Sequence, residues 1–80
     1  MMHNKYFSKE VAEEKLGKLV VSLREFSGVP VGTIGIVEDF YGMRNEYGLD
    51  IKWLFIHTKR NSITDGFSKD EYEEFLEELK

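Results

Sequence analysis

The chain carries two histidines, His3 and His57, and no cysteine. Neither an H-x-H nor an H-x-x-x-H spacing occurs, so a structural zinc site has no thiolates and no paired imidazoles to build on. His57 therefore reads as a surface or packing histidine. Ser62, His57 and Asp65 supply the residue types of a nucleophilic triad, but no nucleophile elbow surrounds the serine. Glu38 and Asp39 are adjacent carboxylates, and neighbours along a strand point to opposite faces, which makes them poor acid and base partners. The glycines at 28, 32 and 35 do not match a phosphate cradle: a P-loop needs Lys and Ser/Thr after its last glycine, and here Ile36 and Val37 follow. The Rossmann spacing G-x-G-x-x-G is not met either. No catalytic residue, metal or cofactor is assigned from these types, and the chain is not expected to be an enzyme, since a small barrel leaves no deep pocket.

Two surface signals remain. Lys52, His57, Lys59 and Arg60 form a basic cluster near the end of a strand. With Trp53 or Tyr47 exposed beside it, such a cluster stacks and holds a single nucleic-acid strand. Against this, the alternation around Trp53 makes it a core residue. The second signal is the run of carboxylates Asp70, Glu73, Glu74, Glu77 and Glu78, which reads as a solvated helix face or as a surface for a basic partner.

The elements that must position these residues centre on Gly28 to Val37, GVPVGTIGIV. It holds three glycines and the chain's one proline. Pro30 fixes its own φ and disfavours the α region at Val29. With Pro30 second and Gly32 fourth, a type I turn is expected. Gly35 lies inside the following strand, where glycine marks a bulge, a bend or a close approach by other atoms.

Residues 1–6 are expected to fray. Ser8 caps a short helix over 9–16 that Gly17 ends. Strands are expected at 18–26, 33–41, 47–56 and 63–65. In the first, Leu19, Val21 and Leu23 alternate onto one face and Val20, Ser22 and Arg24 onto the other. In the second, Ile34, Ile36 and Phe40 share a face, and in the third, Tyr47, Leu49, Ile51, Trp53 and Phe55 do. Residues 42–46 are turn material. Ser68 and Glu71 form a capping box, Phe67 staples onto Tyr72, and Tyr72, Phe75, Leu76 and Leu79 make one apolar stripe of a helix over 69–79. FSKEVAEE at 7–14 echoes FSKDEYEE at 67–74, consistent with one capping chemistry used twice.

Eighty residues with 41% hydrophobic content fit a single domain over 1–80 with a small core. The absence of cysteine and of an apolar leader or span leads to the expectation of a cytoplasmic protein with no membrane association. The formal net charge of −4 argues against general binding to phosphate backbones.

The run from Pro30 to Val37 resembles the first hairpin of SH3-like barrels, where a proline-glycine turn precedes G-T-x-G-x-V. It is similar to KOW-type domains of ribosomal and transcription proteins and to small bacterial SH3-like proteins of unassigned role. The resemblance extends over about 19–65. It implies a small SH3-like antiparallel barrel, mainly β with flanking helices. The KOW class implies RNA binding through basic loops, but here Glu38 and Asp39 follow directly. The eukaryotic SH3 class implies a proline-rich peptide in an aromatic groove with an acidic loop. Tyr41, Tyr47 and Trp53 supply aromatics, although that family's motifs do not match residue by residue. The expectation is a non-catalytic protein–protein interaction module whose contact edge is Glu38, Asp39, Tyr41 and Tyr47. The alternatives are a weak single-stranded nucleic-acid binder using Lys52, Lys59 and Arg60, and a small acidic inhibitor of a nucleic-acid enzyme.

Overall fold

A computed structural model of the chain describes residues 5–25, 27–54 and 63–79. His3, the third strand beyond Leu54, and the loop with His57, Lys59, Arg60 and Ser62 lie outside the described residues. The elements run α1 (Lys9–Lys15), β1 (Leu19–Ser22), β2 (Ile34–Met43), β3 (Glu46–Trp53), β4 (Thr64–Phe67), α2 (Lys69–Phe75) and β5 (Leu76–Glu78). The strands form one antiparallel sheet in the order β4-β3-β2-β1-β5.

Both helices start as their sequences dictate. The Ser8 hydroxyl accepts from Val11 N–H, and Ser68 and Glu71 complete a capping box. Phe7 and Phe67, the residues before the two caps, are both buried. The echoed segments therefore each pin one helix to the core through a phenylalanine. The ring that meets Tyr72 edge-on is Phe7, at 5.6 Å, whereas Phe67 packs on Trp53 at 6.2 Å and on Phe75 at 6.5 Å.

The last helix is shorter than the 69–79 stripe predicts. It stops at Phe75, and Leu76 turns extended at φ −126° and ψ 151°. Leu76, Glu77 and Glu78 then pair with Ser22, Val21 and Val20. Pairing with the otherwise bare edge of β1 overrides the helical preference of the LEEL sequence. Read with a period of two, the same residues place Leu76 in the core and Glu78 over Tyr72, with Glu77 outward.

The alternation expected in β1 holds, and the structure shows which face is the inner one. Val20 and Ser22 are buried, while Leu19 is 42% exposed. Aliphatic residues occupy both parities of this strand, so alternation alone does not choose. The neighbour chooses: Val20 lies opposite Gly35, and Gly35 lies opposite Trp53. The missing side chain at Gly35 leaves the space that the Ile51 and Trp53 side chains fill. In β2, Gly35 and Val37 face inward and Ile34 and Ile36 outward, and the register shift after Val37 turns Phe40 to the core side opposite Leu49, so it does not share the face of Ile34 and Ile36 as expected. In β3, Leu49, Ile51 and Trp53 are buried as expected, and Tyr47 is half-buried.

The turn before β2 differs from the expected type I. Thr33 N–H donates to the Pro30 carbonyl at 3.3 Å, so Pro30 is first and Gly32 third, with φ +88°. That positive φ at the third position is the type II pattern. The buried Ser22 hydroxyl donates to the same carbonyl at 2.6 Å and accepts from Thr33 N–H at 3.1 Å. The β2–β3 connection is a two-residue turn with Arg44 at φ 53° and Asn45 at φ 61°, the type I′ geometry that matches strand twist. Asn45 Oδ1 in turn accepts from Lys9 N–H at the start of α1.

Ala12 from α1 and Tyr72 from α2 join Val20, Val37, Leu49, Ile51 and Trp53 in one core, so both helices cover the same side of the sheet. Ser68 alone joins β4 to α2, and α2 passes directly into β5. Among the described strands the pairing is open, with β4 and β5 as its edges, so the barrel closure expected from sequence is not shown.

Candidate interaction face

The outer face of the sheet is read from its register. A β-bulge separates Val37, paired with Ile51, from Asp39, paired with Asp50. The extra residue is Glu38. Because of this bulge Glu38 and Asp39 do not split between the two faces, as simple alternation predicts. Both are exposed, and both raise the pKa of Asp50, after the larger effect of its partial burial. Directly opposed like charges destabilise a strand pair, so the Asp39–Asp50 pair is a cost the fold carries.

Beyond this pair lies Tyr41, opposite Gly48. The ring lies across the two neighbouring strands: a side chain on Gly48 would meet Tyr41 Cζ at 2.5 Å, and one on Gly66 would meet Tyr41 Oη at 3.1 Å. The glycines form a bed, and the tyrosine supplies the cover their backbone lacks. Burial, then the charges of Asp50 and Glu71 and the neighbouring Tyr6, push the Tyr41 hydroxyl above the ordinary tyrosine range. Its hydroxyl sits in a negative field, with 46% of the residue's surface exposed. Tyr47 falls on the opposite face, where it packs edge-on to Phe40 at 5.6 Å and pairs with Phe7 across an isolated bridge. The structure thus brings Glu38, Asp39 and Tyr41 together, adds Asp50, Gly48 and Gly66, and leaves Tyr47 as support beneath the hairpin. Asp50 is not evident from alternation, because only the bulge brings it beside Glu38.

Of the basic cluster, Lys52 is described. It lies on the outer face between Ile36 and Thr64. Trp53 is 1% exposed, and its indole N–H donates to Asp65 Oδ2 at 2.7 Å. It is a core anchor, so it does not offer a ring for stacking bases. Asp65, one of the three triad residue types, serves as that anchor's acceptor. Gly28 and Gly32 take positive φ and Pro30 opens the turn before β2, and Gly35 marks a close approach by the side chains of Ile51 and Trp53.

A cleft of about 410 Å³ opens between Phe7, Lys15, Tyr72, Leu76 and Glu78. The Tyr72 hydroxyl donates to Glu78 Oε2 at 2.8 Å, and Lys15 Nζ pairs with the same oxygen. The Lys15 hydrogen bond holds Glu78 below the ordinary carboxylate range against some burial. Burial, followed by the bond to Glu78, pushes Tyr72 far above the usual tyrosine value. The three groups satisfy one another, which makes them a tie between α1, α2 and β5 rather than a poised acid or nucleophile. The helical reading of 69–79 hides this tie, because it places Glu78 in solvent. Among the described residues, no group of His, Asp or Glu has the arrangement of a metal site, and no helix is long and apolar enough to cross a membrane.

Comparisons with protein-family models, with curated proteins and with solved structures find no match to the chain.

Proposed function

We propose that this chain is a cytoplasmic, non-catalytic protein-interaction module of the SH3-like type, and that the outer edge formed by Glu38, Asp39, Tyr41 and Asp50 contacts the partner protein. The observation that carries the reading is Tyr41 laid on Gly48 and Gly66 among three carboxylates. Two glycines at adjacent strand positions weaken a sheet, and an opposed carboxylate pair weakens it further. Local rules for stability are broken together at one exposed place, which is where functional surface is expected. A rigid aromatic beside acidic groups is also the composition of an interface anchor.

The test is capture from a cytosolic lysate with and without nuclease, using wild type and Tyr41→Ala. Retention of a discrete protein by wild type and its loss with the variant supports the reading. Equal capture by both, with the variant folded, overturns the assigned edge. Recovery only of nuclease-sensitive material, released at modest salt, instead supports contacts through Lys52, Lys59 and Arg60.

A further inference from the structure

The outer side of β1 and β2 is aliphatic, although both helices cover the inner side. Leu19 lies opposite Ile36, and Val21 opposite Ile34. Leu79 N–H bonds to the Leu19 carbonyl, which extends the row beyond β5. Leu19 and Leu79 are 42% and 40% exposed. The five side chains occupy two rows ~7 Å apart on three strands ~5 Å apart. An antiparallel sheet with one wet face normally carries polar residues there, and a contiguous apolar patch on such a face marks an interaction site.

Charge decides what fits it. The next row along β2 and β3 is Asp39 and Asp50, with Glu38 in the bulge, and Glu77 borders the patch on β5. Lys52, opposite Ile36, is the one described cation placed on this edge by the register, against the four carboxylates Glu38, Asp39, Asp50 and Glu77, so the rim stays net acidic; the ion pairs Lys15–Glu78 and Arg24–Glu74 lie elsewhere. A second copy, also of net charge −4, would bring like charges together, and anionic lipid or nucleic acid would be repelled. We infer that the aliphatic face of Leu19, Val21, Ile34 and Ile36 docks an amphipathic segment of a partner protein, with Lys or Arg flanking its apolar stripe to meet Asp39 and Asp50. The inference rests on the protein-interaction reading above and names the partner's chemistry. A basic side chain one helical turn from an apolar anchor, ~5.4 Å along the axis, reaches the acidic row.

The probes are three labelled peptides, each about five helical turns long: a Leu/Lys amphipath, a Ser/Lys peptide of equal charge, and a Leu/Glu amphipath. Binding is followed by anisotropy, and amide shifts of the unmodified protein map the contact without any variant. The Leu/Lys peptide should bind about tenfold tighter than Ser/Lys, because aliphatic burial adds to charge. It should shift the amides of Leu19 to Ile36 and bind about fivefold more weakly to Leu19→Ser/Ile36→Ser and to Asp39→Asn/Asp50→Asn. Equal binding of Leu/Lys and Ser/Lys, lost with Asp39→Asn/Asp50→Asn, overturns the inference and leaves the acidic edge standing. No binding of either cationic peptide overturns the inference, and unchanged lysate capture by Tyr41→Ala is the separate result that removes the edge. Leu/Glu binding as tightly as Leu/Lys overturns the charge assignment. Self-association, or binding to phosphatidylcholine vesicles, that is abolished by Leu19→Ser/Ile36→Ser also overturns it, by naming a different occupant.

Discussion

A methyl group on the Cα of Gly35 would stand 2.6 Å from Ile51 Cγ2 and 2.9 Å from Trp53 Cε3. Ile51 and Trp53 are 0% and 1% exposed, so neither has free space to move into. Trp53 is also held through its indole N–H on Asp65. Gly35→Ala therefore overpacks the centre of the core, a change that costs about 1–3 kcal/mol. The reduced freedom of alanine in the unfolded chain returns ~0.5–1 kcal/mol. The net expectation is a loss of about 1–2 kcal/mol, or roughly 4–15 °C in Tm at ~4–8 °C per kcal/mol for a chain of this size. Urea unfolding followed by the fluorescence of the single tryptophan measures it directly. Ile51→Leu removes the γ2 methyl at similar volume. The double variant Gly35→Ala/Ile51→Leu should therefore lose less than the two single losses added, by about 0.5 kcal/mol or more. A Gly35→Ala midpoint equal to or above that of wild type would refute the packing argument and the orientation of β1 and β2 that depends on it.

Tyr72→Phe removes the hydroxyl whose folded pKa is raised. In wild type the folded state keeps that proton after the unfolded chain begins to lose it near 10.0, so stability falls as pH rises above that value. The variant should show a shallower decline in urea midpoint between about pH 9.5 and 11, and parallel declines would refute it. Lys15→Met removes the main cause of the lowered Glu78 pKa. Wild-type stability from Glu78 is present above the ordinary value of 4.5 and is lost as pH falls through the lower folded value, so the gap between wild type and variant should shrink on acidification below 4.5. A gap constant with pH would count against the tie. Ser22→Ala leaves the Pro30 carbonyl and Thr33 N–H without their buried hydroxyl, at a cost of about 1–2 kcal/mol in chemical denaturation. A neutral result would show that the junction of β1 and β2 holds without it.

The helix caps, the β3 core face and the positions of the three central strands were legible because each had a local chemical signature. Ser8 and Ser68 are caps in any context, and Leu49, Ile51 and Trp53 alternate without competition from the other parity. β1 gave no such choice, since Leu19 and Val21 are as apolar as Val20. Its inner face is set by Gly35 and Trp53, which lie in other strands. The end of α2 was hidden for a similar reason: Leu76 and Leu79 suit a helix, and the edge of β1 that recruits them is distant in sequence. At the candidate face, Glu38, Asp39 and Tyr41 could be picked out by type. Asp50, Gly48 and Gly66 required the register across the bulge. Tyr47 is likewise an aromatic beside a turn, but the pleat sends it to the other side.

The direct passage from α2 into β5 bears on how the chain comes off the ribosome. Val20 pairs with Glu78, so the early strand β1 receives its outer neighbour only after all the other described strands have emerged. Until then its unpaired N–H and C=O groups form an open edge, flanked by the exposed Leu19. The contact that covers it closes a long loop, which is slow relative to forming the β2–β3 hairpin. During vectorial synthesis, the latest of the described strands thus protects the earliest from pairing with another nascent chain.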